Sequence, residues 1–418
     1  MIKSQLATVD QALTENDLRK AEVMIARLLR NEGLTGEMRA HILIRRAKAR
    51  LLSGRPDDAL EEAGTVLTLQ ADFEDHPEVK ALLGDIYFAR FMLAEFGFAD
   101  RSNTDMAKQY YNDIIHNYRR YNQIGWVYYQ RGRIWLSENA VDDSIADFES
   151  SLQQAPDPPF LYAYCHERLG YVYLFEKRDP EAALVHFDQA IAHYPPQEPA
   201  GWLVQVHILR SRALRELRAY EDALRAAHAA LEALDPNAPD YRRTLTEAHL
   251  AIGEVLALIP GREAEAVEHL LHFLQNSKRP LGVDVTWSRV YETLGELSVK
   301  LERYEQAIEA FQASLEFNPY HPWEVNVHYQ IARCHYRMRA YEKTISAIET
   351  MRDVAKHENQ VISDYRVFNM LANAHFALEQ YSKAAQAYRQ AFELAPANAP
   401  NREKIKSYLQ FAERRAVN

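Results

Sequence analysis

Apolar and polar positions follow one another along this chain with a helical period, and the pattern restarts at nearly regular intervals. Within each stretch the apolar residues recur three and four positions apart, the spacing that buries one face of a helix. An aliphatic residue followed by Gly or Ala is succeeded about twelve positions later by a small residue, four further on by an aromatic, and often by a proline. Leu371, Ala372, Tyr381, Ala384, Tyr388, Ala391 and Pro396 show the whole series in order. The small-residue position returns at Ala21, Ala59, Ala107, Ser144, Ala183, Ala223, Ala266, Ala307, Thr344 and Ala384, at intervals of 37 to 48 residues. About ten units, each a pair of short helices, follow from that count.

Each recurring position has a packing reason. Two helices approach closely only where one carries a residue without bulk and the other places a large side chain into the gap. Leu83-Gly84, Leu169-Gly170, Ile252-Gly253 and Leu294-Gly295 supply holes, and Phe148, Phe187, Phe311 and Tyr388 supply knobs. Proline lacks the N–H that a continuing helix needs, so Pro156, Pro195, Pro236, Pro319 and Pro396 end second helices and turn the chain toward the next unit.

This pattern resembles the tetratricopeptide repeat, a helix-turn-helix unit of about 34 residues, and the resemblance covers roughly residues 2 to 398. It implies an all-α fold, a right-handed superhelical solenoid of about ten antiparallel helix pairs. Residues 1–398 are expected to form one continuous array, and 399–418 a C-terminal capping helix. Asn401 is placed to cap that helix, whose apolar face carries Ile405, Tyr408, Leu409 and Ala412. At the other end Leu6, Val9 and Leu13 form a first stripe, and the polar run Thr14 to Asp17 separates it from Ala21, Ile25 and Leu28.

One unit, at about 77–120, departs from the rest, because Gly84 and Ala107 are 23 residues apart. The added residues include Phe88, Phe91, Phe96 and Phe98, and Ser102 and Asp105 have the spacing of a capping box for the following helix. A first helix running on toward Gly97 is expected. Phe96 and Phe98 either form a protruding contact for a partner or pack on a neighbouring repeat.

In the resembling family one stripe of each first helix lines a concave groove. Carried over, that stripe displays Trp126, Tyr129, Arg133, Tyr164, Tyr171, Arg212, Arg215, Tyr329, Arg333, Tyr336 and Asn373. Aromatic rings beside arginines suit an extended peptide, since Arg forks onto carboxylates or carbonyls while the rings supply rigid contact area. A set of Lys and Asn that would clamp a C-terminal carboxylate is not matched, because Tyr329 and Arg333 stand where its partners for Asn369 and Asn373 are expected.

Composition adjusts this picture in a few places. The 418 residues are 47% hydrophobic and 26% charged with only 14 glycines, enough for a continuous core and little linker. A net charge of −10 lacks the Lys and Arg surplus that nucleic acid demands. Cys165 and Cys334 fall in different repeats, which points to free thiols and a cytoplasmic setting. No stretch has the length of a membrane span or signal core, so no membrane partner is expected.

Sixteen histidines prompt a search for chemistry. There is no glycine-rich phosphate loop and no His-Glu-x-x-His. His328 with Cys334 and His335, and Glu268 with His269 and His272, come nearest to metal clusters. His328 and His335 occupy packing positions, and no nucleophile has a base beside it, so neither catalysis, a metal nor a cofactor is expected. The reading is a non-catalytic scaffold or adaptor that binds protein or peptide partners, including acidic or carboxylate-bearing segments, in its groove. The alternative is a regulator that senses a peptide or small ligand and acts through a partner. Capped ends favour a monomer over a dimer.

Overall fold

The computed structural model describes residues 2–94, 100–154, 160–194 and 200–416, and all regular structure in them is helical. Phe96, Phe98, Pro156 and Pro195 lie outside the described residues. The chain divides into two compact units.

The first unit is Met1–Ala219 with Ala233–Ala238. Its hairpins are α1 (Ile2–Thr14) with α2 (Leu18–Leu29), α3 (Gly36–Leu52) with α4 (Pro56–Leu69), α5 (Pro77–Leu93) with α6 (Ser102–Asn117), α7 (Ile124–Ser137) with α8 (Val141–Gln154), and α9 (Phe160–Phe175) with α10 (Pro180–Ala192), followed by α11 (Ala200–Glu216). Successive first helices also touch, α3 on α5, α5 on α7, α7 on α9 and α9 on α11, so their faces form one wall. The second unit is Tyr220–Glu232 with Pro239–Asn418. It holds α12 (Tyr220–Glu232), the hairpins α13 (Tyr241–Leu256) with α14 (Glu263–Asn276), α15 (Val285–Lys300) with α16 (Tyr304–Phe317), α17 (Glu324–Arg337) with α18 (Tyr341–His357) and α19 (Tyr365–Ala377) with α20 (Tyr381–Leu394), and α21 (Arg402–Ala416) against α20.

The hole-and-knob pairing is present in both units. A Cβ added to Gly170 would lie 2.6 Å from Cε1 of Phe187, and one on Gly295 would lie 2.6 Å from Cε1 of Phe311. Gly84 receives Tyr111 in the same way, whereas Gly253 receives the aliphatic Leu270. Phe187, Phe311 and Tyr111 are all fully buried or nearly so, and burying such a ring stabilises by roughly 1.5–3 kcal/mol.

Helix starts follow local chemistry. Pro56, Pro77 and Pro180 stand at first-turn positions, where a missing N–H costs nothing. The side chains of Asp17, Thr35, Asp179 and Asp284 accept the free amides of Lys20, Met38, Ala182 and Trp287. Inside the hairpins the turn depends on one left-handed residue: Gly54, Asn139, Arg178, Gly261, Glu302, Arg339 and Glu379 all have φ between 56° and 83°. Only the glycines and Asn139 suit that conformation intrinsically.

Three local expectations are corrected. Ser102 and Asp105 do not make a capping box; Asp100 accepts from the Ser102 amide at 2.9 Å and from its hydroxyl at 2.6 Å, because α6 already includes Ser102 and Arg101 is the residue flanking it. Asn401 contributes its backbone carbonyl to Ile405, while its side-chain Oδ1 is buried without a partner. Helix α5 ends at Leu93, short of Gly97.

Candidate functional site

In the first unit the wall of first helices borders a cavity of about 2170 Å³. Asp10 and Leu13 of α1, Arg45, Lys48 and Leu51 of α3, Glu78, Leu82 and Asp85 of α5, the segment Tyr118–Gln123, Trp126 of α7 and Phe160 of α9 line it. Asp85 is the hub of its inner side. It follows Gly84 directly, and the close approach that Gly84 permits puts Tyr111 over the carboxylate. The Tyr111 hydroxyl donates to Oδ1 at 2.6 Å, the Gln130 amide to Oδ1 at 3.3 Å, and the Trp126 indole N–H to Oδ2 at 3.1 Å. Burial pushes the Asp85 carboxyl above its usual range, against the pull of these three donors. The bonds fix the indole plane and leave its faces for contact.

Charges around the cavity are mostly matched. Arg45 binds Asp10 at 2.9 Å and Lys48 binds Glu78 at 2.7 Å. Burial acts to raise the Glu78 carboxyl, but Lys48 and Arg45 outweigh it and hold it below the usual range. Arg119 and Arg120 are exposed on the rim and have no ion-pair partner among the described residues.

A run of rings continues from Trp126. It lies 5.4 Å from Tyr129 and 6.1 Å from Phe160, Phe160 lies 5.1 Å from Tyr164, and Tyr164 lies 5.2 Å from Trp202 of α11. Tyr129 is only 5% exposed and sits between Phe148 and Tyr164, so it backs the exposed rings more than it meets solvent. Arg133 lies over Phe88 at 4.9 Å and Tyr129 at 5.8 Å, and donates to Gln130. Arg212 lies over Phe175, which also packs on Tyr171; Arg215 is half-buried one turn further along α11. Near Arg133, Glu167 is buried with Oε2 3.0 Å from Nε of Arg168, and burial raises its carboxyl despite Arg168 and Arg133.

The remaining expected residues form a separate set in the second unit. Arg333 lies over Tyr329 at 5.8 Å. Asn373 donates to the Tyr336 hydroxyl at 3.1 Å and accepts from Tyr388 at 2.7 Å, so its amide already serves the repeat's own packing.

Lys48, Glu78, Asp85, Tyr121, Phe160 and Trp202 went unnoticed in the sequence. Two of them carried a signal: Lys48 follows Ala47 and Asp85 follows Gly84, the step that places Arg133 after Gly132 and Asn373 after Ala372.

Two family models match the chain. The tetratricopeptide repeat matches residues 365–398, which span α19, α20 and the proline after them, and SHNi-TPR matches residues 288–317 of α15 and α16. Both matched segments are helical hairpins, and in the second the hole at Gly295 is filled by Phe311 of the second helix. The chain is a tetratricopeptide-repeat protein. No curated protein matches it. Among solved structures, this repeat protein is similar to the C-terminal part of a TPR repeat-containing protein from Cytophaga hutchinsonii, with 15% identity, a TM-score of 0.49 and coverage of 67% of this chain and 99% of that one. The apo form of the quorum sensor NprR from B. thuringiensis is 14% identical with a TM-score of 0.48, and 94% of this chain and 98% of that one are covered. YrrB, described as a TPR protein with an unusual peptide-binding site, is 19% identical with a TM-score of 0.38 and coverage of 51% and 95%.

The two thiols, Cys165 and Cys334, are buried, and burial pushes them up to about 12 and about 11. No helix among the described residues is long and apolar enough to cross a membrane.

Proposed function

We propose that this repeat protein is a non-catalytic scaffold that binds an extended, acidic segment of a partner protein in the cavity of its first unit. The observation that carries this reading is the cavity's size and lining. At about 2170 Å³ it exceeds the roughly 300–1,000 Å³ of small-molecule pockets, and its inner wall presents an indole held edge-on by Asp85 next to Phe160. Rigid aromatic surface gives affinity at low entropic cost. The unpaired Arg119 and Arg120 give the rim charge that complements carboxylates, while the matched Arg45, Asp10, Lys48 and Glu78 need no partner. Groove residues Trp126, Arg133, Tyr164 and Tyr171 extend the same surface toward Arg212 and Arg215.

The test is an immobilised library of extended peptides of graded charge, read with the wild type, Trp126→Ala, and Arg119→Glu with Arg120→Glu. Acidic peptides should be retained by the wild type, lost with Trp126→Ala, and replaced by basic peptides after the charge reversal. Equal binding by all three proteins, or a preference that ignores charge, would sink the reading. Saturable binding of a small molecule in place of any peptide would favour a ligand-sensing regulator.

A further inference from the structure

Where α15, α16 and α17 meet in the second unit, a small pocket of about 190 Å³ opens. Lys300 at the end of α15, Glu302 and Tyr304 at the turn into α16, and Arg333 and Arg337 of α17 all line it. Three cations therefore share one confined space with a single carboxylate. Arg279 pairs with Glu316 and Arg289 with Glu254 on these helices, but Lys300, Arg333, Arg337 and Glu302 take part in no ion pair among the described residues. Lys300 acts on Glu263 and Glu296 only at longer range.

Elsewhere a cation between neighbouring repeats is met by an acid. Lys48 of α3 reaches Glu78 of α5, Lys108 of α6 reaches Glu138 beyond the end of α7, and Arg289 of α15 reaches Glu254 of α13, each at 2.7 Å. The pocket breaks that rule. Like charges gathered in one space repel, and an anion placed among them offsets the repulsion. Arg333 is the fixed member of the group: it is half-buried, its Nη1 donates to Gln330 at 2.8 Å, and its guanidinium lies 5.8 Å over Tyr329. Lys300 and Arg337 are exposed and stand on either side, and Tyr304 adds a hydroxyl.

Charge and size together select the ligand. Three cations against one carboxylate leave two positive charges unmatched. A phosphate monoester carries about −1.5 to −2 at pH 7 and matches them, whereas a carboxylate supplies half as much. The volume is below the roughly 300–1,000 Å³ of drug-sized pockets, so the space suits one compact group. Guanidinium forks onto phosphate oxygens with two parallel hydrogen bonds. We propose that Lys300, Arg333 and Arg337 bind a phosphate group in this pocket, either free phosphate or the phosphate of a phosphorylated side chain. The site stands apart from the peptide reading of the first unit and does not depend on it.

The experiment is calorimetric titration of the full chain, in phosphate-free buffer at neutral pH and low salt, with inorganic phosphate, with N-acetyl-phosphoserine methylamide and with acetate. One equivalent of at least one phosphate compound should bind, and acetate should bind far more weakly. Lys300→Gln and Arg337→Gln should each weaken phosphate binding by about tenfold, the loss of one charge-assisted contact. Both side chains are exposed, so helicity should be unchanged. Arg333→Lys, which keeps the charge and loses the fork, should weaken it as well. Lys383→Gln, an exposed lysine on α20 away from the pocket, should leave it unaltered. Tighter binding of the phosphoserine compound assigns the site to a phosphorylated partner, and tighter binding of inorganic phosphate assigns it to the free ion. Absence of uptake by the wild type, acetate bound as tightly as phosphate, or a loss no greater in the pocket variants than in Lys383→Gln would overturn the assignment.

Discussion

Replacing Gly170 by alanine puts a methyl group 2.6 Å from Cε1, 2.7 Å from Cδ1 and 3.0 Å from Cζ of Phe187. The ring cannot retreat, because Phe187 is 0% exposed. Gly64 of α4 provides the comparison, since it is also mid-helix but a Cβ there would meet nothing within 4 Å. Alanine gains about 1 kcal/mol over glycine in a helix interior, and both substitutions receive that gain. Only Gly170→Ala adds an overpacking cost of about 1–3 kcal/mol. Gly64→Ala should therefore stabilise by about 1 kcal/mol, and Gly170→Ala should fall below it by the overpacking cost, a net change between about zero and 2 kcal/mol destabilising. Urea unfolding followed by far-ultraviolet circular dichroism measures the difference. Hydrogen exchange in α9 and α10 localises it, which matters because repeat arrays need not unfold in one step. In a double-mutant cycle, Phe187→Leu should relieve the alanine and show coupling. If Gly170→Ala raises stability as much as Gly64→Ala, steric closeness is not why glycine stands there, and the packing argument for every repeat loses its basis.

Other expectations concern backbone, protons and thiols. Glu302 turns the α15–α16 hairpin at φ 58°, and Glu302→Gly should stabilise by about 0.5–1 kcal/mol in thermal unfolding, since a left-handed side-chain-bearing residue costs more than glycine's extra entropy; a loss would show that the glutamate side chain makes up the strain. Burial and neighbouring histidines lower both His166 and His249 from 6.5 to about 4. The unfolded chain then binds more protons between those values, so stability should be full above pH 6.5 and decline as pH falls toward 4. Phe at His166 should flatten that part of the profile, and an unchanged profile would contradict the assignment. Cys165 and Cys334 should resist iodoacetamide in the native state and react in urea, because burial raises both thiols; fast native labelling would place them at the surface.

The helical hairpins were legible because their signals are local. Gly170 and Phe187 lie 17 residues apart, on two helices joined by a short turn, so periodicity alone identifies both the hole and the knob. The same locality misled where backbone detail mattered: Ser102 and Asp105 had the right spacing, yet Asp100 makes the bonds. Charged Arg178, Glu302, Arg339 and Glu379 in the left-handed turn carry no sequence signal, since their conformation is imposed by the two helices they join.

What the chain's pattern determined by itself was the identity of the repeat and the face of each helix that packs, because helical periodicity and residue volume are properties of short segments. Tertiary structure alone decided how much of each face a neighbour covers. Tyr129 shares the register of the exposed stripe and is nevertheless enclosed by Phe148 and Tyr164. Asp85 finds its donors 26, 41 and 45 residues away. His249 meets His269 across a hairpin that spacing alone could only bring near. Those arrangements depend on the angle and depth at which helices dock, and a one-dimensional pattern of apolar and polar residues does not encode either.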